Sequence, residues 1–263
     1  MLKPAFASLP MYDWPEAREE TDGEWNTFRD LLMNEGVEAP DRLARTNADL
    51  PPMVDRTREE DAPFASVAVT LLLGDFDLMK VWNHPQLLLA QTCWGPLEHG
   101  LEREVEVVGQ ADYSRFEGGE REEYSSAILV RQEECGDGSH GPMETLLEFL
   151  KGKRLAFNSA DSMSGYLALE RDLHLLNESL DIFSEEIETG GHRASIKAVA
   201  EGRADVCAVD CRTWDLAKRF EPLAENLGVM GWTRKRKGLP YITSRHRSAV
   251  EVEKIRKALS YRA

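Results

Sequence analysis

The sequence predicts an α/β fold with mainly parallel sheets. In the second half of the chain, short apolar runs alternate with amphipathic segments, a pattern that is typical of strands alternating with helices. At 263 residues, the chain is long enough to bury a substantial core without a disulfide or a structural metal. The sequence contains no internal repeat of about 20–50 residues, so it does not predict a solenoid.

One helix is clear in the first half of the chain. Trp25, Phe28 and Leu32 recur at helical spacing and Gly36 ends the pattern, so a helix is predicted over Glu24–Gly36. Apolar runs predict the other elements of this half, namely a strand or buried helix at Ala65–Leu73 and strands at Gln86–Thr92, Glu104–Val108 and Ser125–Val130.

Strands and helices alternate more clearly in the second half, where glycines and polar loops separate them. Strands are predicted at Leu155–Phe157, Ile182–Glu188, Ala204–Val209 and Leu227–Trp232. Helices are predicted from Ser164 onward, after the Gly190–Gly191 break, at Trp214–Phe220 and at Val250–Leu259.

The charge balance excludes some classes of partner. The chain has 32 Lys and Arg against 47 Asp and Glu, which gives a net charge of −15. Such a chain repels polyphosphates, so we expect no nucleic-acid binding and no binding to anionic membranes. A small anion can still bind where local donors outweigh the overall field.

Other motifs are missing from the sequence. The sequence contains no uninterrupted apolar run of about 18 residues, so it does not predict membrane insertion. No apolar leader follows Met1. We therefore expect a cytoplasmic chain, or a periplasmic chain whose leader was removed. The sequence has no Walker motif, no GxGxxG motif and no metal-ligand spacing, so no cofactor and no metal are expected.

The strongest local feature is the segment from Ser162 to Gly165, which follows an apolar strand. The first turn of a helix leaves backbone N–H groups without partners, and these groups can bind an anion. Ser162 and Ser164 add hydroxyl groups, and Gly165 allows the backbone to approach a ligand closely. The alternative is an ordinary Ser N-cap with no ligand.

Two further features lie where open α/β sheets bind ligands. Gly190 and Gly191 precede a helix start that carries His192, although a turn with a solvent-facing His is an equal alternative. Asp210 follows an apolar strand, and its carboxylate can accept from a ligand or cap the next helix.

Tyr124 opens another strand and supplies a hydroxyl on an apolar ring, although core packing is the alternative for any single Tyr.

An enzyme is not expected. Nucleophilic catalysis by a thiol needs a cysteine such as Cys93, Cys207 or Cys211 within reach of His192, and no local signature supports that arrangement. Cys207 lies in an apolar run, which favours a buried thiol over a metal ligand.

Seven segments in this order resemble the phosphate/phosphite/phosphonate substrate-binding proteins of ABC transporters. The segments are Tyr12, Gln91–Cys93, Tyr124–Arg131, Ser162–Tyr166, Gly190–Ser195, Ala204–Asp210 and Gly238–Thr243. The resemblance implies a type II periplasmic-binding-protein fold, with two α/β lobes joined by two crossing strands, at Ser125–Arg131 and Leu227–Thr233. The implied lobes are 1–125 plus 232–263, and 126–231.

The resemblance also implies a function. The expected role is non-catalytic binding of a phosphonate, phosphate or phosphite-like oxyanion in the cleft between the lobes, with an ABC permease as partner. The implied ligand-binding residues are Tyr12, Tyr124, Ser125, Ser126, Ser162, Met163, Ser164, Gly165, His192 and Asp210. The alternatives are an enzyme on the same scaffold that uses a Cys and a His, and a cytoplasmic sensor that acts through a protein partner.

Two positions depart from the pattern of phosphonate binders. Met163 stands where Thr is common, which removes one hydroxyl donor. Arg193 stands where a Glu is common, and a cation there disfavours a ligand amine if its side chain faces the ligand.

Overall fold

The computed structural model describes residues 5–52, 72–73, 76–135 and 143–261. The strands are β1 (Phe6–Ser8), β2 (Leu72–Leu73), β3 (Phe76–Asp77), β4 (Leu87–Gln91), β5 (Val105–Gln110), β6 (Gly119–Glu120), β7 (Glu123–Tyr124), β8 (Ser126–Arg131), β9 (Arg154–Phe157), β10 (Glu185–Glu188), β11 (Val206–Asp210), β12 (Leu227–Trp232), β13 (Arg236–Lys237) and β14 (Pro240–Ser244). The helices are α1 (Arg18–Asn34), α2 (Leu78–Trp82), α3 (Trp94–Glu98), α4 (Met143–Leu150), α5 (Ala168–His174), α6 (His192–Ala200), α7 (Cys211–Phe220) and α8 (Ala249–Ser260). Across these ranges, no helix combines the length and the apolar character needed to cross a bilayer.

The chain forms two compact units. The first unit comprises Met1–Thr92, Leu97–Gly109 and Pro240–Ala263, and the second comprises Cys93–Pro96 and Gln110–Leu239. The lobe boundaries expected from the sequence, at 125/126 and 231/232, stay a prediction. Both segments that were expected to cross between lobes supply strands of one sheet in the second unit, where β8 pairs with β12.

The first unit contains a four-stranded sheet in the order β1-β4-β14-β5. All five residues of β4 are buried, as expected for the strand between two neighbours. The predicted strand at Gln86–Thr92 is therefore confirmed. The helix predicted over Glu24–Gly36 begins six residues earlier, at Arg18, because its first turns are polar and carry no apolar periodicity.

The second unit contains a five-stranded sheet in the order β10-β9-β11-β8-β12. β9 is parallel to both β10 and β11, whereas β8 is antiparallel to both β11 and β12. In the first unit β1 and β4 are parallel, and β4 and β14 are antiparallel. The sheets are thus mixed rather than mainly parallel. The continuous apolar run of β8 has the composition typical of a parallel strand, although β8 pairs antiparallel. Burial on both faces makes a strand continuously apolar, whatever the direction of its neighbours.

Most other predicted elements are present with shifted ends. β10 begins at Glu185 because Ile182 closes a short 3₁₀ turn, and α7 begins at Cys211 because Asp210 caps it. The Gly190–Gly191 break is confirmed, with Gly190 in the left-handed region at a φ of 81°. Of the element predicted at 65–73, residues 65–71 lie outside the described residues and the last two form β2.

One outer strand of the second unit's sheet is acidic. β10 pairs with β9 on one side and is the last strand of the sheet order. Glu185, Glu186 and Glu188 are all exposed on it. The described pairing leaves the other edge of this strand without a neighbour in the sheet.

Asp205, which directly precedes β11, links the start of β9 to the end of β8. Its carboxylate accepts from the Arg154 backbone amide at 3.0 Å and from Arg154 Nε at 2.9 Å, and Arg131 Nη2 lies 3.2 Å from it. These contacts, the hydrogen bond from the Arg154 side chain first among them, hold the pKa of Asp205 well below its ordinary value. The ionised carboxylate is therefore favoured in the folded state.

Asp205→Asn is expected to lower the free energy of unfolding by about 2–3 kcal/mol at neutral pH, because it weakens several charge-assisted hydrogen bonds. Since folding lowers the pKa of Asp205, its contribution is present above the unfolded value of about 3.9 and is lost as the pH falls through the folded value. Urea denaturation at neutral and acidic pH measures this difference, which should shrink on acidification.

The matched control is Glu133→Gln. Glu133 is 3.9 Å from the same Arg131, but its side chain is 82% exposed, so the expected change is below about 0.5 kcal/mol. Equal losses in the two variants would contradict this account of Asp205.

Candidate functional site

The predicted helix start after β9 is a π-helical turn. Met163–Leu167 form this turn and continue directly into α5. The Leu167 amide donates to the Ser162 carbonyl at 3.0 Å, which is the spacing of a π-helix. Ser162 caps the turn, because its hydroxyl accepts from the Gly165 amide at 3.1 Å.

Two amides near the start of this turn donate to side chains within the protein. The Gly165 amide donates to Ser162, and the Met163 amide donates to Cys93 Sγ at 3.4 Å. Ser162, Met163, Ser164 and Gly165 are all buried. The sequence-based expectation of free first-turn amides is therefore wrong for Met163 and Gly165, since a local cap and a distant thiol use them.

Ser164 links the turn to the start of α6. Its Oγ lies 2.8 Å from Nε2 of His192, the first residue of α6, and the tautomer of His192 decides which atom donates. The same Nε2 lies 3.7 Å from Oδ2 of Asp210 at the end of β11. The side chains of three elements thus meet at one imidazole nitrogen.

This arrangement differs from a catalytic triad. In a triad the serine and the carboxylate contact opposite nitrogens of the imidazole, whereas here both are on the Nε2 side. His192 Nδ1 is buried and makes no hydrogen bond within the described part of the chain. Burial lowers the pKa of His192, and the charge of Asp210 opposes that shift, so the imidazole is neutral at neutral pH.

Tyr124 is buried in the second unit, close to Ser164. Tyr124 is 2% exposed, and its ring centroid lies 5.3 Å from that of Tyr113. Its hydroxyl is close enough to Ser164 to affect the Tyr124 pKa, which burial raises well above its ordinary value. It nevertheless makes no well-formed hydrogen bond to any described residue.

Ser125 and Ser126 are buried beside Tyr124. The Ser125 amide donates to the Gly118 carbonyl at 2.7 Å, and the Ser126 amide donates to Thr233 Oγ1 at 2.8 Å. Ser126 lies opposite Asp210 in the register of β8 and β11. Its hydroxyl is buried and has no hydrogen-bond partner among the described residues.

Asp210 caps α7. Its Oδ1 accepts from the Thr213 amide at 2.9 Å and its Oδ2 from the Thr213 hydroxyl at 2.6 Å. The capping alternative is therefore confirmed, and the role of Asp210 towards a ligand stays a prediction.

We name the group formed by Cys93, Tyr124, Ser164, His192 and Asp210 the Ser164 cluster. All five residues belong to the second unit. The charge of Asp210 adds to the effect of burial in raising the pKa values of Cys93 and Tyr124. The cluster therefore holds neutral hydroxyl, thiol and imidazole groups beside one carboxylate.

The loop before the turn carries polar atoms that the sequence-based site omits. Asn158 Oδ1, Ser159 Oγ and Asp161 Oδ1 are buried without a hydrogen-bond partner in the described ranges. Gly165 faces this loop, since a Cβ on it would overlap Asn158 Oδ1 and lie 3.1 Å from Cε1 of His192. The only sequence signal that could have included these three polar residues in the predicted site is their position in a polar run between a buried strand and a capped helix.

Nine of the ten sequence-predicted site residues lie in the second unit. Tyr12 lies in the first unit, where it closes a 3₁₀ turn with Pro10 and is 2% exposed. Its role towards a ligand stays a prediction. Arg193 points away from the Ser164 cluster, because its Nε donates to Glu221 at 2.8 Å and its Nη2 to the Phe220 carbonyl at 3.0 Å.

The described residues offer neither a metal centre nor an activated thiol. No group of three or more His, Cys, Asp or Glu side chains in the described ranges could hold a metal ion. Burial is the largest cause that raises the pKa of Cys93 to about 11, and it also raises those of Cys207 and Cys211. A thiolate nucleophile is therefore disfavoured at these positions.

The sequence from Leu97 onward identifies the family. Residues 97–261, more than half of the chain, match the family of phosphonate ABC transporter periplasmic substrate-binding proteins. The chain belongs to this family. The resemblance seen in the sequence is thus confirmed, although Tyr12 and Gln91–Cys93 lie outside the residues that match the family.

Solved structures confirm the type II periplasmic-binding-protein fold. PhnD1 from Prochlorococcus marinus, in complex with methylphosphonate, has 17% identity and a TM-score of 0.63, with 97% of this chain and 83% of that chain covered. The binding protein component of an ABC phosphonate transporter (PA3383) from Pseudomonas aeruginosa has 15% identity and a TM-score of 0.61, with 97% and 74% covered. XAC2383 from Xanthomonas citri, bound to chloride ion, has 15% identity and a TM-score of 0.57, with 97% and 82% covered. No curated protein matches the sequence.

Gly165→Ala is expected to lower the free energy of unfolding by about 1–3 kcal/mol, because the added methyl group forces Asn158 and His192 to move. Gly23→Ala is the matched control, since nothing lies within 4 Å of its Cβ position inside α1. That control should gain about 0.5–1 kcal/mol from helix propensity. Chemical denaturation of both variants measures the contrast, and a gain in both would show that the turn is not tightly packed.

Proposed function

We propose that the protein binds a small phosphorus oxyanion, such as a phosphonate, phosphite or phosphate, at the Ser164 cluster and does not transform it. The observation that carries the proposal is the convergence of buried polar atoms on one hydrogen bond. Tyr124 Oη, Ser126 Oγ and His192 Nδ1 have no hydrogen-bond partner in the described part of the chain. Tyr124 lies close to Ser164, Ser126 lies opposite Asp210 in the sheet, and His192 itself contacts Ser164. Buried polar atoms without partners are rare, so a group of them indicates a ligand.

The family and the chemistry of the cluster support this proposal. Hydroxyl and imidazole groups donate to tetrahedral oxyanions without adding a full positive charge. PhnD1 from Prochlorococcus marinus, with the same fold, was solved with methylphosphonate. In this role the partner of the protein is an ABC permease, as the family description implies.

Calorimetry with phosphate, phosphite, methylphosphonate and 2-aminoethylphosphonate tests the function. We expect binding of at least one of these anions, and Ser164→Ala should raise its Kd by about 10- to 150-fold, since a charge-assisted hydrogen bond contributes about 1.5–3 kcal/mol. Ser184→Ala is the control, because Ser184 is exposed in the same unit. No binding of any of the four anions, or an unchanged Kd in Ser164→Ala, would contradict the proposal.

The geometry also disfavours the alternative of an enzyme with a cysteine nucleophile. Since all four cysteines are free and buried and burial raises their pKa values, iodoacetamide should not label the folded protein at neutral pH. The denatured protein should incorporate four labels per chain, which controls for the reagent. Rapid labelling of Cys93 in the folded protein, measured by mass spectrometry, would revive the enzyme hypothesis.

A further inference from the structure

The π-turn that carries Ser164 lies close to an alternative structure. The Ser162 carbonyl accepts from the Leu167 amide at 3.0 Å, with π-helical spacing, and also from the Tyr166 amide at 3.2 Å, with α-helical spacing. A π-turn contains one residue more than an α-turn and is rare in proteins. An α-turn over the same residues would keep the bond from Tyr166 and give up the bond from Leu167. Contacts outside the turn must therefore favour the π-turn.

Conversion of the turn would displace α5. Loss of the extra residue rotates the helix after the turn by about 100° and shifts it by about 1.5 Å relative to the residues before the turn. The start of the turn is anchored, because the Met163 amide donates to Cys93 Sγ at 3.4 Å. Since α5 follows Leu167 directly, a contact that fixes α5 also prevents the conversion.

Arg236 fixes α5 at two points that are one helical turn apart. Its Nη2 donates to the Ala168 carbonyl at 3.1 Å and to Oδ1 of Asp172. Oδ2 of Asp172 accepts from the Arg234 amide at 2.8 Å. The side chain of Asp172 is 0% exposed and that of Arg236 is 16% exposed. A displacement of α5 would leave a buried carboxylate without its cation, which is strongly unfavourable.

Arg236 is itself held beside the candidate site. It lies in β13, opposite Tyr124 in the register of β13 and β7. Its Nη1 donates to the Arg234 carbonyl at 2.6 Å, which orients the guanidinium. The backbone of Arg236 thus belongs to the strand beside Tyr124, while its side chain binds the helix that follows the Ser164 turn.

We propose that Arg236 is a positioning residue for the Ser164 cluster. Its contacts with Ala168 and Asp172 keep α5 in the position that requires the π-turn. The π-turn places Ser164 against His192. Fixing a register is the best-attested use of a buried polar group. The consequence for ligand binding rests on the proposed function, whereas the contact between Ser164 and His192 can be measured without a ligand.

The decisive variant combines Arg236→Met with Asp172→Asn, and we call it the double variant. Arg236→Met alone leaves a buried carboxylate without a cation, which destabilises a protein strongly. The double variant has no such charge, and the introduced amide can still accept from the Arg234 amide. We expect it to fold, and thermal unfolding checks this. Arg236→Lys is a milder variant, because it keeps the charge but not the planar fork that spans several acceptors.

Arg234→Met is the matched control. The Arg234 side chain is 58% exposed and lies 3.3 Å from Glu144, whose side chain is 50% exposed. Its contact with Asp172 is made by the backbone amide, which the substitution retains. The control therefore removes a guanidinium two residues from Arg236 without releasing α5.

Nitrogen NMR of the His192 ring in the ligand-free protein measures the contact directly. The ring signals show which nitrogen carries the hydrogen and whether Nε2 is hydrogen-bonded. Ser164→Ala provides the reference for a lost contact. We expect the Nε2 signal of the double variant to move to the position seen in Ser164→Ala, and that of Arg236→Lys to move part of the way. Arg234→Met should keep the native signal.

Calorimetry with methylphosphonate measures the effect on binding. The double variant should raise the Kd by about 10- to 150-fold, as is expected for Ser164→Ala. Adding Ser164→Ala to the double variant should raise the Kd by less than about threefold more, because the contact is already lost. A substitution that acts only on stability elsewhere would leave the effect of Ser164→Ala undiminished.

The outcomes separate the inference from the proposed function. If the folded double variant keeps the native His192 signal, if Arg234→Met moves that signal equally, or if Ser164→Ala adds its full effect, the inference is overturned and the proposed function stands. If no phosphorus oxyanion binds the native protein while the His192 signal moves as expected, the proposed function fails and the role of Arg236 in placing Ser164 stands.

Discussion

The contact between Ser164 Oγ and His192 Nε2 is the interaction on which the rest of the candidate site depends. It joins two helix starts that are 28 residues apart in the chain, at 2.8 Å. The contact requires close approach of the backbone, and Gly165 permits it because a side chain there would meet His192 and Asn158. It also requires the sharp turn before α6, which Gly190 makes in a left-handed conformation.

Burial determines the electrostatic character of the site. Desolvation disfavours the charged forms of Cys93, Tyr124 and His192, so each of these groups is neutral near pH 7. Hydrogen bonds between neutral groups and an anion are strong in such an environment, since little water competes for them. Under the proposed function, a site with this composition would hold an anion through directed hydrogen bonds, and the negative net charge of the chain would have little effect at this short range.

The sequence predicted the elements better than their directions or contacts. Apolar runs predicted β4, β11 and β12, because burial in a sheet needs a run of apolar residues wherever the strand pairs. Nothing local to β8 predicted that it pairs antiparallel, since strand direction depends on the path of the chain.

The same limit applies to the site. Their positions before helices made capping an alternative to a ligand role for Ser162 and Asp210, and the structure confirms both caps. The bond from the Met163 amide to Cys93 spans 70 residues, and no local pattern can predict it. No local pattern predicts the contact between Arg193 and Glu221 either, because the two residues lie 28 positions apart in the chain.

The acidic outer strand β10 has a consequence for the behaviour of the protein in concentrated solution. An open strand edge invites hydrogen bonding by another chain, which extends the sheet from molecule to molecule. Three carboxylates on β10 would face like charges in any such pairing between copies. Mutual repulsion along this edge disfavours such pairing, so acid conditions or dense counterions that neutralise the carboxylates remove a barrier to aggregation.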